Sequence, residues 1–140
     1  MEAEYEKPLP GVTNLNRPYW EGLARHEFRL PHCHGCGHVW YPPAPWCPRC
    51  HSRDTGWAAL SGRGRVNSWT VVHVTGLRGF RGDVPYNVAE VTLDEGPRLI
   101  TNLVDIEPGS IRVGLPVEIV YDDVAEELTL ARFRPLAAGQ

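Results

Sequence analysis

Four cysteines stand in the sequence as two C-x-x-C pairs, and the chain has no others: Cys33 with Cys36, and Cys47 with Cys50. Only residues 37–46 separate the pairs, so one small unit can bring all four sulfurs together. Four thiolates fill the tetrahedral shell of a structural zinc ion, with each Zn–S distance about 2.3 Å. The spacing therefore predicts a closed metal site that holds structure and catalyses nothing.

Other uses of paired cysteines have to be weighed. Residues 47–51 match the C-x-x-C-H string of c-type haem attachment, but the acidic, polar N-terminus is unlike a secretory signal and Met1 is the only methionine. A redox dithiol needs one pair at the head of a helix after a strand, and disulfides are disfavoured in a cytosolic setting. Four nearby histidines are expected at the surface or around the site: His32, His34, His38 and His51. Zinc is the expected metal, and iron stays open because four sulfurs suit both.

Length, composition and charge indicate a soluble globular chain. Its 140 residues can hold one ordinary domain, or a small domain plus a metal module. No apolar run approaches the roughly 20 residues of a membrane span, so we expect a cytoplasmic protein with no membrane association. Residues 49–81 carry six arginines and one acid, whereas residues 90–127 carry ten acids and two arginines. The sequence therefore predicts a positive face that could meet phosphates and a separate negative face.

The N-terminal part, residues 1–30, is predicted to be an extended lead followed by a short helix. Asn16 or Arg17 would cap this helix, with a proline in its first turn. Four apolar residues fall on one side of it: Tyr19, Trp20, Leu23 and Ala24. The helix is too short to be stable alone, so this side packs either on the rest of the chain or on a partner.

Residues 31–60 are predicted to form the zinc ribbon, and residues 61–135 a small β-barrel. From Gly62 onward the pattern is all-β, and we expect strands at 63–75, 86–93, 98–104, 116–121 and 127–134. Asp122-Asp123 would open the turn between the last two. Five antiparallel strands with a long first strand favour an OB-type barrel, because a sandwich usually needs at least about seven. The predicted fold is mainly β: a short N-terminal helix, a rubredoxin-like zinc ribbon and a five-stranded OB-fold barrel.

The loop at residues 76–84 joins the first two barrel strands, where OB folds commonly bind ligands. It contains three glycines, the arginines Arg78 and Arg81, and the apolar Phe80. It is a candidate binding loop, and an ordinary flexible loop is the alternative.

Several strings occur in order along the chain. They are Cys33-x-x-Cys36-Gly37, Tyr41-Pro42-Pro43, Cys47-Pro48-x-Cys50, Ser61-Gly62-Arg63-Gly64, Trp69-Thr70-Val71-Val72-His73, Val84-Pro85-Tyr86, Ala89-x-Val91-x-Leu93-x-Glu95-Gly96 and Gly114-x-Pro116-Val117. Together they resemble the OB-fold family with an N-terminal rubredoxin-like zinc ribbon, domain of unknown function thirty-five, over about residues 15–135. Two positions depart from the family pattern: Ala44 stands where an arginine is frequent, and His51 where a glycine is common.

The resemblance implies a non-catalytic accessory subunit. Members of this family accompany thiolase-like proteins in acyl-CoA condensation, retro-aldol cleavage or acyl transfer, and the partner supplies the catalytic residues. On this hypothesis arginines near the loop would meet CoA phosphates, apolar residues would line the path of the pantetheine arm, and the helix aromatics would meet the partner. The candidate contacts to acyl-CoA or the partner are Arg78, Phe80, Arg81, Pro85, Tyr86, Tyr19 and Trp20.

The sequence offers no catalytic constellation of its own. It contains no G-x-S-x-G elbow, no H-E-x-x-H helix and no phosphate-cradling glycine loop. The alternative function is a single-stranded nucleic-acid-binding module, since zinc ribbons and OB barrels both occur in such proteins. Base stacking wants aromatic side chains on the barrel, and Trp69 is the clearest strand aromatic. The net charge of -3 and the acidic C-terminal half make nucleic acid an unfavourable partner.

Overall fold

A short helix, a two-stranded ribbon and a curled five-stranded sheet follow one another along the chain. The computed structural model describes residues 7–136, so the first half of the predicted N-terminal lead lies outside them. The elements are α1 (Arg17–Ala24), β1 (Arg29–Cys33), β2 (Thr55–Ala59), β3 (Arg63–Val72), β4 (Tyr86–Leu93), β5 (Arg98–Thr101), β6 (Pro116–Ala125) and β7 (Leu128–Pro135). The predicted mainly β fold, with its helix, ribbon and barrel in that order, is confirmed.

Helix α1 begins after Asn16, as predicted, but the asparagine side chain does not cap it. Its Oδ1 instead accepts a hydrogen bond from the Thr13 backbone N–H at 2.7 Å, which fixes the turn before the helix. The buried side of α1 consists of Tyr19, Gly22 and Leu23. The predicted side therefore differs at its C-terminal end, because Ala24 is exposed.

The ribbon strands β1 and β2 pair antiparallel, with Cys33 opposite Thr55. The chain that leaves the first cysteine pair returns to β1 through a single bridge, His32 to Val39. Cys33 ends β1, and the other three cysteines lie in the turns between the two strands. The base of the ribbon is continuous with the barrel, because the Leu60 N–H donates to the Phe28 carbonyl at 2.8 Å.

Within residues 7–136 the other strands form one five-stranded antiparallel sheet in the order β5-β4-β3-β6-β7. The sheet curls until its outer strands meet, where Leu103 forms a parallel bridge with Phe133. The Val104 N–H also donates to the Phe133 carbonyl at 2.8 Å. This strand order and closure are those of an OB-fold barrel.

Two of the predicted strand ends shift for physical reasons. Strand β5 stops at Thr101 because the side chain of Asn87, and no strand backbone, bonds the Leu103 N–H and carbonyl at 2.6 and 2.8 Å. Strand β6 continues through Asp122 and Asp123, which the sequence had suggested were a solvated turn. Each carboxylate has a partner on β7, since Asp122 accepts from Arg132 and Asp123 from Thr129.

One hydrophobic core joins the helix, the ribbon base and the barrel. Leu23 of α1, Phe28 and Leu30 are each at most 2% exposed and pack with barrel residues. The Phe28 and Phe133 rings meet edge-on at 6.4 Å. The helix and the ribbon base are therefore held on the barrel by shared apolar burial. No helix in the described part of the chain is both long and apolar enough to cross a membrane.

Candidate metal centre and barrel pocket

The four cysteine sulfurs converge at the tip of the ribbon. All four Sγ atoms lie within 4.8 Å of one another. Cys33 and Cys50 are 3.5 Å apart, and Cys36 and Cys47 are 3.7 Å apart. In a zinc tetrahedron with bonds of 2.3 Å, neighbouring sulfurs are about 3.8 Å apart, so the arrangement fits a four-thiolate metal ion.

Backbone amides of the two turns point at the sulfurs. The Cys36 N–H donates to the Sγ of Cys33 at 3.4 Å, and the Arg49 and Cys50 N–H groups donate to the Sγ of Cys47 at 3.4 and 3.5 Å. The pKa of Cys33 falls to about 6, chiefly because of the Cys36 amide. These bonds stabilise thiolates, which is the form that binds metal.

Crowding of the sulfurs acts in the opposite direction at Cys50. The backbone N–H of Ser52 favours its thiolate, but the neighbouring sulfurs, with Cys33 first, and burial outweigh that bond and raise the pKa of Cys50 to about 12. Four thiolates at this distance repel one another unless a cation sits between them. The donor set therefore suits a divalent metal in a closed structural site.

The two positions that depart from the family pattern both lie close to the sulfur cluster. Ala44 packs against Cys33, Trp40 and Cys47, and takes part in the small apolar cluster beneath the sulfurs. His51 has a φ of 63°, in the left-handed region that favours glycine. Of the nearby histidines, His34 lies on the surface and pairs with Asp54 at 3.1 Å, outside the sulfur cluster.

A second candidate site is an open pocket of about 550 Å³ at one end of the barrel. Phe80, Pro85 and Tyr86 line it together, and the Phe80 and Tyr86 rings lie 5.4 Å apart. The structure thus brings together the three apolar residues that the sequence marked as candidate contacts. Arg78 and Arg81 lie in the adjoining loop and do not line the pocket.

Charged side chains in the pocket are paired with one another. Lys7 Nζ lies 2.7 Å from Asp83 and 5.2 Å from the centre of the Phe80 ring. A second pair also lines the pocket, in which Arg132 Nε lies 2.6 Å from Asp122. With these charges paired, the pocket suits a ligand that is largely uncharged and has a few polar groups.

Sequence reasoning missed the polar wall of this pocket. Asn102 accepts a hydrogen bond from Arg132 at 2.7 Å and donates one to the Asn87 carbonyl at 2.6 Å. Asparagine and arginine in or beside strands carry no local signal of a site. Only the curl of the sheet, which brings the end of β5 beside β7, reveals that they meet.

The two helix aromatics take different positions. Tyr19 is 7% exposed and packs against Phe28 and Tyr41 with ring distances of 6.4 and 6.0 Å. Trp20 is half-buried and meets Tyr19 edge-on at 5.0 Å. Tyr19 therefore serves the core, which was one of the two interpretations of this helix side, and Trp20 keeps part of its surface available.

Ribbon and barrel together define the class of protein: a small zinc-ribbon and OB-fold chain whose pocket lies at the end of the barrel. Residues 20–56 match the family described as "ChsH2, rubredoxin-like zinc ribbon domain", and residues 57–122 match "ChsH2, C-terminal OB-fold domain". A DUF35 domain-containing scaffold protein of Pyrococcus furiosus is 36% identical over 130 residues, covering 87% of this chain and 93% of the relative. The chain belongs to the DUF35 family.

Two further relatives extend the comparison. A probable enoyl-CoA hydratase alpha subunit of Thermomonospora curvata is 37% identical over 129 residues, and the match covers 92% of this chain. This chain spans 40% of the length of that relative. The solved structure of the Ltp2-ChsH2(DUF35) aldolase superposes with a TM-score of 0.83 at 37% identity, covering 91% of this chain and 98% of the matched chain.

Proposed function

We propose that the chain is a non-catalytic accessory subunit that binds a thiolase-like enzyme and helps to bind or channel acyl-CoA. The reaction class is condensation, retro-aldol cleavage or acyl transfer, with the catalytic groups supplied by the partner. The barrel pocket carries the proposal, because it joins Phe80, Pro85 and Tyr86 in one cavity of suitable size. The similar chain in the Ltp2-ChsH2(DUF35) aldolase supports an assembly with an enzyme subunit.

The chemistry of the pocket matches the pantetheine arm of CoA better than its phosphates. Pantetheine is elongated and uncharged, with two amides that need hydrogen-bond partners along an otherwise apolar path. The rings of Phe80 and Tyr86 offer apolar contact, and the side chain of Asn102 keeps one N–H and one oxygen lone pair beyond its bonds to Asn87 and Arg132. Arg78 and Arg81, on the loop beside the pocket, would meet the phosphates outside it as forked donors.

The metal centre has a structural role in this proposal. A closed four-sulfur site leaves no position for water or substrate. It holds the ribbon turns, and the ribbon base shares a core with α1 and the barrel. Zinc would therefore keep the helix, with Trp20 at its surface, in a fixed position relative to the pocket.

Binding of acyl-CoA to the assembled complex tests the proposal. We expect Phe80→Ala together with Tyr86→Ala to weaken acyl-CoA binding about 10-fold or more, since the contacts of two aromatic rings with the ligand are lost. The control is Leu77→Ala, on the same loop, 52% exposed and not part of the pocket. Calorimetric titration of the complex with acetyl-CoA measures both. Equal affinity of the double variant and the wild type would contradict the assignment of the pocket.

The nucleic-acid alternative makes a different prediction. It requires micromolar binding of single-stranded oligonucleotides that weakens steeply as salt rises. The pocket holds two acids and two bases in pairs, which gives a polyanion little net attraction. The same titration with a 20-nucleotide single strand separates the two functions.

A further inference from the structure

The strand β3 has an open edge over its second half. Its first half is paired on both sides: Val66 donates to the Leu115 carbonyl at 3.0 Å and accepts from the Gly114 N–H at 2.8 Å. From Ser68 to Val72 the strand pairs with β4 alone. Among the described residues no other segment is bonded to this stretch of β3.

Alternation of the ladder shows which groups face the open side. In an antiparallel pair, every second residue points both its N–H and its C=O at the same neighbour. The Asp94 N–H bonds the Arg63 carbonyl at 2.9 Å, so Glu90 and Val88, an even number of residues before Asp94, also point toward β3. Their register partners are Ser68 and Thr70. Ser68 and Thr70 therefore point their backbone groups at β4. Trp69 and Val71 alternate with them, so their N–H and C=O groups point away from β4.

The composition of this edge is that of a covered strand. Solitary strand edges are usually protected by charged residues or prolines, because a bare edge recruits other strands. Residues 67–72 contain neither. Trp69 is 36% exposed, and Val113, where the chain leaves the edge, is 69% exposed. An uncharged edge beside exposed apolar side chains indicates that another polypeptide covers it.

We propose that an extended segment of the thiolase-like partner adds to the open edge of β3 as a further strand, bonded to Trp69 and Val71. The proposal rests on the function proposed above. Only an extended segment can form these hydrogen bonds with a strand edge. Because residues 67–72 carry no charge, the added segment should also be uncharged. Val72 is paired with Tyr86, which lines the pocket. Strands are about 4.8 Å apart, so the added segment would lie about 10 Å from that wall.

The small free energy that this edge can contribute favours the partner over a second copy of this chain. The two outward residues offer about four hydrogen bonds, which alone correspond to a dissociation constant no better than about 1 mM. Such an edge is useful only as one part of a larger interface. The assembly proposed around the pocket would provide such an interface, because the pocket residue Tyr86 lies on β4, beside the open edge of β3.

Amide hydrogen exchange in the purified complex with the thiolase-like subunit tests the proposal. In the isolated chain the amides of Trp69 and Val71 should exchange fast, and in the complex about 10-fold or more slowly. The amides of Thr70 and Val72, bonded to β4, serve as internal controls and should be protected in both. Unchanged exchange at Trp69 and Val71 in an intact complex would overturn the added strand and leave the proposed function standing.

A variant gives an independent measurement. Val71→Pro removes an outward N–H without removing a bond to β4, and proline is tolerated at a strand edge. We expect it to weaken the complex about fivefold or more, whereas Val71→Thr, which keeps the amide and the branched shape, should bind as the wild type. If the proline variant does not fold, the amide hydrogen exchange of Trp69 and Val71 in the wild-type complex decides whether a strand is added. Absence of any thiolase-like subunit bound to the chain would overturn both proposals. Protection that rises with the concentration of the isolated chain would assign the edge to a second copy.

Discussion

His26 and Asp123 fasten the end of the helix to the barrel. The His26 Nε2 lies 3.1 Å from Oδ2 and 3.2 Å from Oδ1 of Asp123. The imidazole also stacks on Tyr121 at 4.8 Å, with the ring planes 7° apart. This contact joins residues 97 positions apart in the chain, and Thr129 holds the same carboxylate from β7. A charged group therefore adds to the shared apolar core in holding the end of the helix on the barrel.

We expect the Asp123 contact to stabilise the fold at neutral pH and to be lost in acid. Hydrogen bonding from Thr129, and then from His26, lowers the pKa of Asp123 below its ordinary value of 3.8. A carboxyl with a lowered folded-state pKa contributes stability above its unfolded-state pKa, and that contribution disappears as the pH falls through the folded value. Urea unfolding of Asp123→Asn should show a deficit against wild type at pH 7 that disappears in acid, once the pH falls below the lowered pKa of Asp123. Asp94→Asn, at an exposed position, is the control. An equal deficit at pH 7 and in acid would contradict this.

The metal prediction concerns Cys33 and Cys50. Replacing either with serine should reduce bound metal from one ion per chain to almost none, and should unfold the ribbon together with the helix that shares its core. Elemental analysis and circular dichroism measure the two effects. His34→Ala is the control, because His34 lies on the surface and bonds Asp54. A serine variant that keeps its metal, or a metal-free protein with an intact ribbon, would be inconsistent with a structural site. The elemental analysis also decides between zinc and iron.

Asn87→Ala should destabilise the barrel by about 2–6 kcal/mol. The Asn87 side chain satisfies both backbone groups of Leu103, with bonds of 2.6 and 2.8 Å, at a site only 9% exposed. Removing it leaves two buried polar groups unpaired, at roughly 1–3 kcal/mol each. Chemical denaturation measures the loss, and Asn14→Ala, at an exposed position before the helix, should change stability by less than about 0.5 kcal/mol. A loss no larger than that of the control would show that water replaces the asparagine.

Gly64→Ala should be destabilising although alanine usually suits a strand better than glycine. A methyl group there would lie 2.5 Å from the Thr92 carbonyl oxygen and 2.8 Å from a Val91 methyl. Overpacking of this kind costs about 1–3 kcal/mol. Gly76→Ala is the matched control, because nothing lies within 4 Å of its added methyl group. Thermal unfolding should separate the two variants by several degrees; equal melting temperatures would mean that β3 and β4 can move apart freely.

Local patterns were enough to predict the order of elements and the convergence of the four cysteines. The two C-x-x-C pairs constrain four sulfurs by spacing alone, and the turns that follow fix where the ribbon reverses. Alternation along residues 86–93 is clear because one face is buried at every second residue. These features depend on residues close together in the chain, so the sequence carries them directly.

Features that depend on the curl of the sheet could not be predicted in this way. Asp122 was expected in a turn, because nothing in the sequence shows that Arg132 would lie beside it on β7. The polar pocket wall, which includes Asn102, and the contact of His26 with Asp123 likewise join distant segments. The open edge of β3 is invisible in sequence, since it reflects where β6 leaves its neighbour.

The most direct test of the central claim is native mass spectrometry of the complex that this chain forms in its own cells. We predict a heteromeric particle that contains this chain, one metal ion per copy of it and a thiolase-like subunit. Its acyl-CoA affinity should fall when Phe80 and Tyr86 are both replaced by alanine. A particle of this chain alone, or of this chain with nucleic acid and without an enzyme subunit, would contradict the account.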